Sequence, residues 1–442
     1  MDNSMQESLL STAAEENSDL KGRIWEESKK IWRVALPSII SRVTSFGTIV
    51  VTQLFIGHIS SVDLAGYALV QTISERFVDG IVIGMSSATE TLCGQAFGAK
   101  QYHMMGIFLQ RSWLVDLATQ KNMVIAWLSL MQFVVHIPLS WIFVYVLDWG
   151  TNGAMAALSL SSWLLVSGEF VYIFGGWCAH SWKGFSFAAF RDIFPVVKLS
   201  ISSGLMVCLE LWYYAILVLL AGYMKNAEAS ISAFSICLNV LAWIVMISVG
   251  IMGSATVRVA NELGRGDAEA TKFSIKVLIG TSVMIGLLFW ILCLVFGNKL
   301  GYLFTNEEEV AQTVSDLSLL LAFSVLLTGI YPVLSACALQ MSSAEEMLKP
   351  QSSQSKILFN EEEVAQTVGP LSSPVSQCCS TITLCSQGIW IGMISGVVTE
   401  TLALSFMAWR TNWDQEVSIT SARLKRWYLK SAEESKQSSD HS

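Results

Sequence analysis

The sequence predicts an all-α polytopic membrane protein. Three observations carry that expectation: charge is scarce, it is confined to short clusters between long apolar runs, and tryptophan is abundant. Of the 442 residues, 53% are hydrophobic and 14% charged, against roughly 25% charged in an ordinary globular domain. A soluble fold needs polar residues along every surface helix. Here runs of about 20 to 25 residues hold almost none, which is the length an α-helix needs to cross a bilayer. The 16 tryptophans suit rings that sit at a lipid–water interface. The net charge of −8, carried mostly by the tails and by Glu307, Glu308 and Glu309, argues against a nucleic-acid partner and leaves the lipid bilayer as the surroundings.

Cysteine usage adds no metal site. Cys93, Cys208, Cys237, Cys293 and Cys337 lie within or beside apolar runs, where the thiol behaves as a small hydrophobe. The adjacent pair Cys378 and Cys379, with Cys385 nearby, suits neither zinc nor a disulfide framework. The first thirty residues are polar and acidic, so they are not read as a signal peptide, and insertion relies on the first internal helix.

The spans follow in order, each tested by the rule that cytoplasmic links carry the Lys and Arg. Residues 1–33 hold Lys21, Arg23, Lys29, Lys30 and Arg33 and read as a cytoplasmic tail. The first span, 34–57, crosses outward, and the link 58–64 carries no Lys or Arg. The second, 65–90, returns to Lys100. The stretch 104–118 reaches only about 22 Å at ~1.5 Å per residue, short of a ~30 Å hydrocarbon core, and it holds Arg111 and Asp116; it is read as not spanning. Spans 123–147 and 153–176 complete an N-terminal lobe, 34–176. The link 177–194, with Lys183 and Arg191, is cytoplasmic.

A C-terminal lobe, 195–413, then holds spans 196–222, 230–255, 273–297, 317–339 and 388–408. Arg258, Arg265 and Lys272 mark the inside, and the acidic link 298–316 the outside. The tail 414–442 is again cytoplasmic, since Arg410, Arg423, Lys425 and Arg426 follow the last span. Spans 317–339 and 388–408 would therefore both run inward. That cannot be, so a crossing is missing between 340 and 387. The same region carries the direct repeat NEEEVAQTV, at Asn306–Val314 and again at Asn360–Val368, amid Ser-rich polar sequence. Residues 341–387 are accordingly expected to be aberrant and disordered.

A second repeat has architectural meaning. SSATETLCGQAFGA (Ser86–Ala99) resembles GSATVRVANELGRG (Gly253–Gly266), with Ser-Ala-Thr near one end and Gly98 or Gly264 near the other. Each closes the second span of its half at the cytoplasmic end, at an offset of about 167 residues. Pro37 and Pro195 open the first span of each half in similar contexts. Two halves that start on the same side and repeat in parallel describe a transporter. The fold class expected is therefore two pseudo-symmetric helical bundles.

CGQAFGAK (Cys93–Lys100), CLELWYYA (Cys208–Ala215), KNAEASISAFSICLN (Lys225–Asn239) and RVANELGRGD (Arg258–Asp267) resemble the multidrug and toxic compound extrusion (MATE) family, above all its plant DETOXIFICATION branch. The resemblance extends from Glu26 to Trp413. It implies two six-helix lobes around a central cavity and export of organic compounds in exchange for protons or, less favoured here, sodium. No further cofactor, a monomer, and a vacuolar or plasma membrane are implied with it. The chain departs from the pattern twice, with 9–10 membrane helices instead of 12. Parts of helices 3 and 4 are missing after Gln120, and helix 11 is missing after Gln340. A degenerate protein of the same fold, inserted but inactive, is the alternative expectation.

Glu210 is the sharpest candidate for chemistry. It lies mid-span in LMVCLELWYYAILVLL, where an ionised carboxylate costs at least ~2.5 kcal/mol. Apolar surroundings favour the neutral form of a carboxyl group, so it can take a proton on one side and release it on the other. The resemblance implies the same role for this position, as the proton-linked site of the C-terminal lobe. It also implies a second acid in the tenth helix, where this chain has Thr328. Asn239, Tyr213 and Tyr214 are candidate neighbours of Glu210, and Gln53 and Gln71 candidate cavity-lining amides of the N-terminal lobe. Gln95, Gly98, Asn261, Glu262 and Gly264 are expected to be structural, because glycines at helix ends let neighbouring backbone come close. An intramembrane enzyme is disfavoured: no span holds a His–carboxylate cluster, and His136 stands alone beside Pro138.

Overall fold

A computed structural model describes residues 3–59, 63, 66, 67, 70, 93–100, 122–172, 175, 227–304, 308–346 and 386–422. Seven long helices account for most of them: α1 (Asn3–Ile59), α2 (Asn122–Trp141), α3 (Gly150–Tyr172), α4 (Ala227–Arg265), α5 (Ala268–Phe304), α6 (Glu308–Glu346) and α7 (Ser386–Arg410). Each contains a stretch long and apolar enough to cross a membrane. They correspond to seven of the expected spans. The other two, 65–90 and 196–222, fall outside the described residues apart from a few isolated positions, as do the stretch 104–118 and the link 177–194.

The distribution of side chains is that of a protein dissolved in lipid. On α2 the buried positions are Ala126, Ser129, Gln132, His136 and Ser140, spaced three or four apart on one face. Trp127, Met131, Val134, Ile137 and Trp141 on the other face are exposed. In water such a helix would turn the other way round. Within a bilayer the tails solvate the apolar side and the polar side is left to pair internally.

α1 packs against α2 and α3 on one side and against α4 on another, while α4, α5, α6 and α7 form the C-terminal bundle. In that bundle Phe234, Leu317, Leu321, Val325, Trp390 and Met393 share one buried cluster. A second cluster joins Ile31 and Ala35 of α1 to Ile251, Ala255, Val259, Leu278, Val333 and Trp413. Small residues set how near the helices come. A Cβ at Gly301 would stand 2.6 Å from the Cα of Ala311, and one at Gly297 would stand 2.7 Å from the Cβ of Ser318, so the paired ends of α5 and α6 meet backbone to backbone.

Local chemistry accounts for the joints. Pro138 cannot donate a backbone hydrogen bond, and four residues on α2 passes into a π-helical turn, Ile142–Val146. The tight link to α3 follows, with Asp148 at φ +52° and Gly150 at φ +55°. Gly266, at φ +84°, ends α4, and Asp267 Oδ1 accepts from the Ala270 amide to cap α5. Glu308 and Glu309 occupy the first turn of α6, where the helix dipole favours negative charge.

Several helices run beyond the expected spans: α1 already begins at Asn3, α5 continues to Phe304 and α6 begins at Glu308. α4 continues ten residues past 255, because Arg258 and Glu262 are paired there and cost the helix no unpaired charge. α6 runs on to Glu346, so residues 341–346 are ordered helix, not the start of an irregular segment. Ala344, Glu345 and Glu346 are good helix formers that extend an existing helix at little cost. Residues 347–385 lie outside the described residues.

Replacing Gly301 by valine should force α5 and α6 apart and lower the melting temperature of the detergent-solubilised protein. Gly280→Val, at a glycine with nothing within 4 Å of its added Cβ, should leave that temperature unchanged.

Candidate functional site

The ends of the two repeats meet. A Cβ on Gly98 would collide with the carbonyl oxygen of Asn261, and a Cβ on Gly264 would collide with the carbonyl oxygen of Gln95. The contact is reciprocal: Gly264 and Asn261 each follow their counterparts, Gly98 and Gln95, by 166 residues. A pseudo-two-fold axis therefore passes between the two helix ends. The offset is one residue less than between the Ser-Ala-Thr triplets, because the second motif is one residue shorter between triplet and glycine. Gly94 adds to the closeness, since its Cβ would stand 2.6 Å from that of Ala260. Gln95 is buried and donates to Gln340 Oε1 at 3.3 Å, which brings the end of α6 onto the same seam.

Beside the seam lies a buried ion cluster. Glu27 Oε1 accepts from Arg258 Nε at 3.0 Å and Nη2 at 2.7 Å, and from the Ser274 hydroxyl at 2.7 Å. Lys30 pairs with its other oxygen at 3.2 Å. Arg258 also donates to Glu262 Oε1 at 2.6 Å, and Arg265 donates to Glu262 from the surface side at 3.0 Å. Glu27, Arg258 and Glu262 are all buried. Two carboxylates and two guanidinium groups, each with several partners, offset the desolvation that burial demands; removing one would leave a bare charge at a cost of roughly 3–5 kcal/mol. The cluster ties the polar part of α1, at Glu27 seven residues before the apolar run begins at 34, to α4 and α5.

Burial pushes the Glu27 carboxyl up, but the bonds from Ser274, Arg258 and Lys30 together with the Arg258 charge outweigh it, and the group is held below its ordinary value of 4.5. Its contribution to stability is thus complete above the unfolded value and is lost as pH falls through the lower, folded one.

The expected site residues divide. Gln95, Gly98, Asn261 and Gly264 come together in this seam, and Glu262 pairs with Arg258 and Arg265 in the cluster beside it. Thr328 is buried and bonds back to the Ser324 carbonyl of its own helix at 2.7 Å. Asn239 is exposed on α4, and Gln53 is half-buried on α1. Glu210, Tyr213, Tyr214 and Gln71 lie outside the described residues. Glu27 and Arg258 were not singled out from the sequence, since 231 residues separate them and each looks like ordinary flanking charge. Glu400 was also missed. It sits midway along the apolar stretch Trp390–Arg410 of α7 and is hydrogen-bonded by Tyr331 of α6. An averaged hydropathy hides a single acid; a search for lone mid-span carboxylates would have found it.

Comparison with known proteins agrees with the seam. The family model described as MatE matches residues 37–137 and 203–345. Protein DETOXIFICATION 24 of Arabidopsis thaliana is 41% identical over 472 residues, covering 94% of this chain and 92% of the relative. Protein DETOXIFICATION 25 of the same plant is 42% identical over 467 residues, with 93% and 91% covered. Both matched stretches are longer than the 442-residue chain, so the relatives hold residues opposite gaps in this one. Among solved structures, the eukaryotic MATE transporter AtDTX14 superposes with a TM-score of 0.71 at 23% identity, covering 91% of this chain and 99% of that one. An outward-facing MATE family multidrug resistance transporter superposes with a TM-score of 0.65 at 15% identity, covering 90% and 97%.

Cys93 is buried two residues before Gln95 and reports on the seam. Gly98→Val or Gly264→Val should raise its labelling by a membrane-permeant maleimide, read by peptide mass mapping, about tenfold, as ~1.4 kcal/mol of lost closure would give. Acidification through the range of the Glu27 carboxyl should lower the melting temperature of the parent protein, and Glu27→Gln should weaken that pH response.

Proposed function

Because the chain belongs to the MATE family, we propose that it is a secondary antiporter that exports organic compounds from the cytosol in exchange for protons. The observation that carries this reading is the reciprocal contact of Gly98 with Asn261 and of Gly264 with Gln95. Two repeat ends that meet by backbone at glycine leave a seam about which one lobe can rock, while α1 keeps its side-chain packing against α4. Rocking of one repeat against the other is how transporters built from repeats expose a midplane site alternately to each side. The Glu27–Arg258 cluster holds α1 to the C-terminal bundle and adds a polar tie to that end.

Coupling is assigned to Glu210, with Asn239, Tyr213 and Tyr214 as its partners and Gln53 and Gln71 lining the cavity of the N-terminal lobe. A carboxyl group that must be neutral to sit in lipid-like surroundings and charged when water reaches it links a proton to each reorientation. Thr328 cannot titrate, and the mid-span carboxyl of Glu400, held by Tyr331, is the remaining acid of the C-terminal bundle among the described residues with a mid-span position. Protons are favoured over sodium because these acids stand singly, whereas a cation needs several oxygen ligands around it. Small organic molecules with flat apolar surfaces suit a chain with 17 Met and 11% aromatic residues. A monomer in the vacuolar or plasma membrane completes the reading.

Proteoliposomes with an imposed pH gradient test it. Uptake of a fluorescent organic cation should occur with the parent chain and fall to the protein-free level in Glu210→Gln. Equal uptake by both would remove Glu210 as the coupling group. No uptake by correctly inserted parent protein would sink the transport reading itself.

A further inference from the structure

The N-terminal bundle contains a buried polar lane that the proposed coupling through Glu210 does not use. On α2, Ser129, Gln132, His136 and Ser140 are all buried on one face. First and last are eleven residues apart, about 16 Å of helix. α1 faces them with Ser41, Thr44, Thr48 and Thr52, and α3 with Ser161 and Ser162. The rungs are Ser41 to Ser129 at 3.0 Å, Gln132 to Ser162 at 3.3 Å, and Thr52 and Ser161 to His136 at 3.0 and 3.2 Å. The only titratable group on the lane is the imidazole. It is fully buried, twelve residues from one end of the apolar stretch Val124–Val146 and ten from the other.

The hydroxyl hydrogens around the ring decide what it can do. Thr52 Oγ1 donates to the Thr48 carbonyl at 3.0 Å, and Ser161 Oγ donates to the Leu158 carbonyl at 2.9 Å. Each hydroxyl has one hydrogen, so when these are directed at the two carbonyls both present lone pairs to the ring: Thr52 to Nε2 and Ser161 to Nδ1. The backbone carbonyl of Ala157 also accepts from the ring. Nδ1 is therefore the nitrogen that keeps its hydrogen. At Nε2 there is a choice, because Ser140 Oγ stands 3.3 Å away with no other hydrogen-bond partner among the described residues. When Nε2 carries a lone pair, Ser140 can donate to it. When Nε2 carries a hydrogen, it can donate to Thr52. A histidine that only packs needs one of these arrangements; this one is provided with both, and a single hydroxyl rotation converts between them.

We infer that His136, with Ser140 and Thr52, forms a reversible proton-binding site in the N-terminal bundle, at the middle of a hydroxyl-lined lane. The proton adds to the Nε2 lone pair, the Ser140 hydroxyl turns away, and the new N–H bonds to Thr52; release reverses each step. No charged side chain is among the ring's hydrogen-bond partners. The titratable residues nearest to it on the packed elements are Arg42 and His58 on α1, ten residues before and six after Thr52; Tyr145 and Asp148 beyond α2; and Glu169 on α3, eight residues after Ser161. Any contribution of this site to transport rests on the proton coupling proposed above, whereas the protonation itself does not.

The test reads the ring directly. In the full chain, labelled with 15N-histidine and held in lipid nanodiscs, the His136 signals are assigned among the five histidines by their loss in His136→Gln. They should convert from a neutral ring with hydrogen on Nδ1 to the imidazolium form as the pH is lowered across the range in which the protein stays folded. Thr52→Val removes the acceptor for the cation and should lower the midpoint by about one unit, while Ser140→Ala removes the donor to the neutral ring and should raise it. Opposite shifts in two near-isosteric variants would not arise from a packing role. A ring that stays neutral throughout, or midpoints that both variants leave unmoved, overturns the inference. No gradient or substrate is used, so loss of proton-driven uptake in the transport assay would count against the coupling and not against this site.

Discussion

Everything in this molecule rests on how closely two helix ends can approach. Gly98 lies against the carbonyl of Asn261 and Gly264 against that of Gln95, and no other side chain would fit in either place. In lipid there is no hydrophobic force to draw helices together, so packing and polar pairing must do it. Small residues at this crossing maximise backbone contact, while side chains of α1 pack against α4 beside it. The contact is thus both an attachment and a plane of separation, which a transporter of two repeats requires.

Polar groups are placed by the same constraint. Each buried donor or acceptor has to be satisfied within the protein. The Glu27–Arg258–Glu262 cluster achieves this with charges at the end of the bundle, where water and Arg265 share the load. The lane around His136 achieves it with hydroxyls in the middle, where a fixed charge would be far more costly. Buried hydroxyls occur in both bundles, Ser129, Ser140 and Ser161 in the N-terminal one and Ser248, Ser282 and Ser324 in the C-terminal one, and the N-terminal bundle adds a buried imidazole.

The departures from the twelve-helix pattern are consistent with this frame. Relatives hold residues that this chain lacks, yet α1, α2 and α3 still pack as a unit. The seam between the repeats is also complete at the level of backbone contact. It depends on α4, α6 and residues 93–100, none of which falls in the affected segments.

The sequence by itself determined the class of the protein, seven of its membrane helices and the two repeat ends. Those features are local: a run of apolar residues must span, Lys and Arg must stay inside, and a glycine in a repeated motif must permit a close approach. It could not reveal that the two repeat ends touch one another, with an offset of 166 residues, nor that Glu27 finds Arg258. Such pairs are distant in the chain and each member looks ordinary alone. His136 is the clearest instance. In the sequence it is one histidine beside a proline, without a partner. Its own helix supplies Ser140, but only the packing of α1 and α3 around α2 brings Thr52 and Ser161 to the ring and makes it a candidate site for a proton.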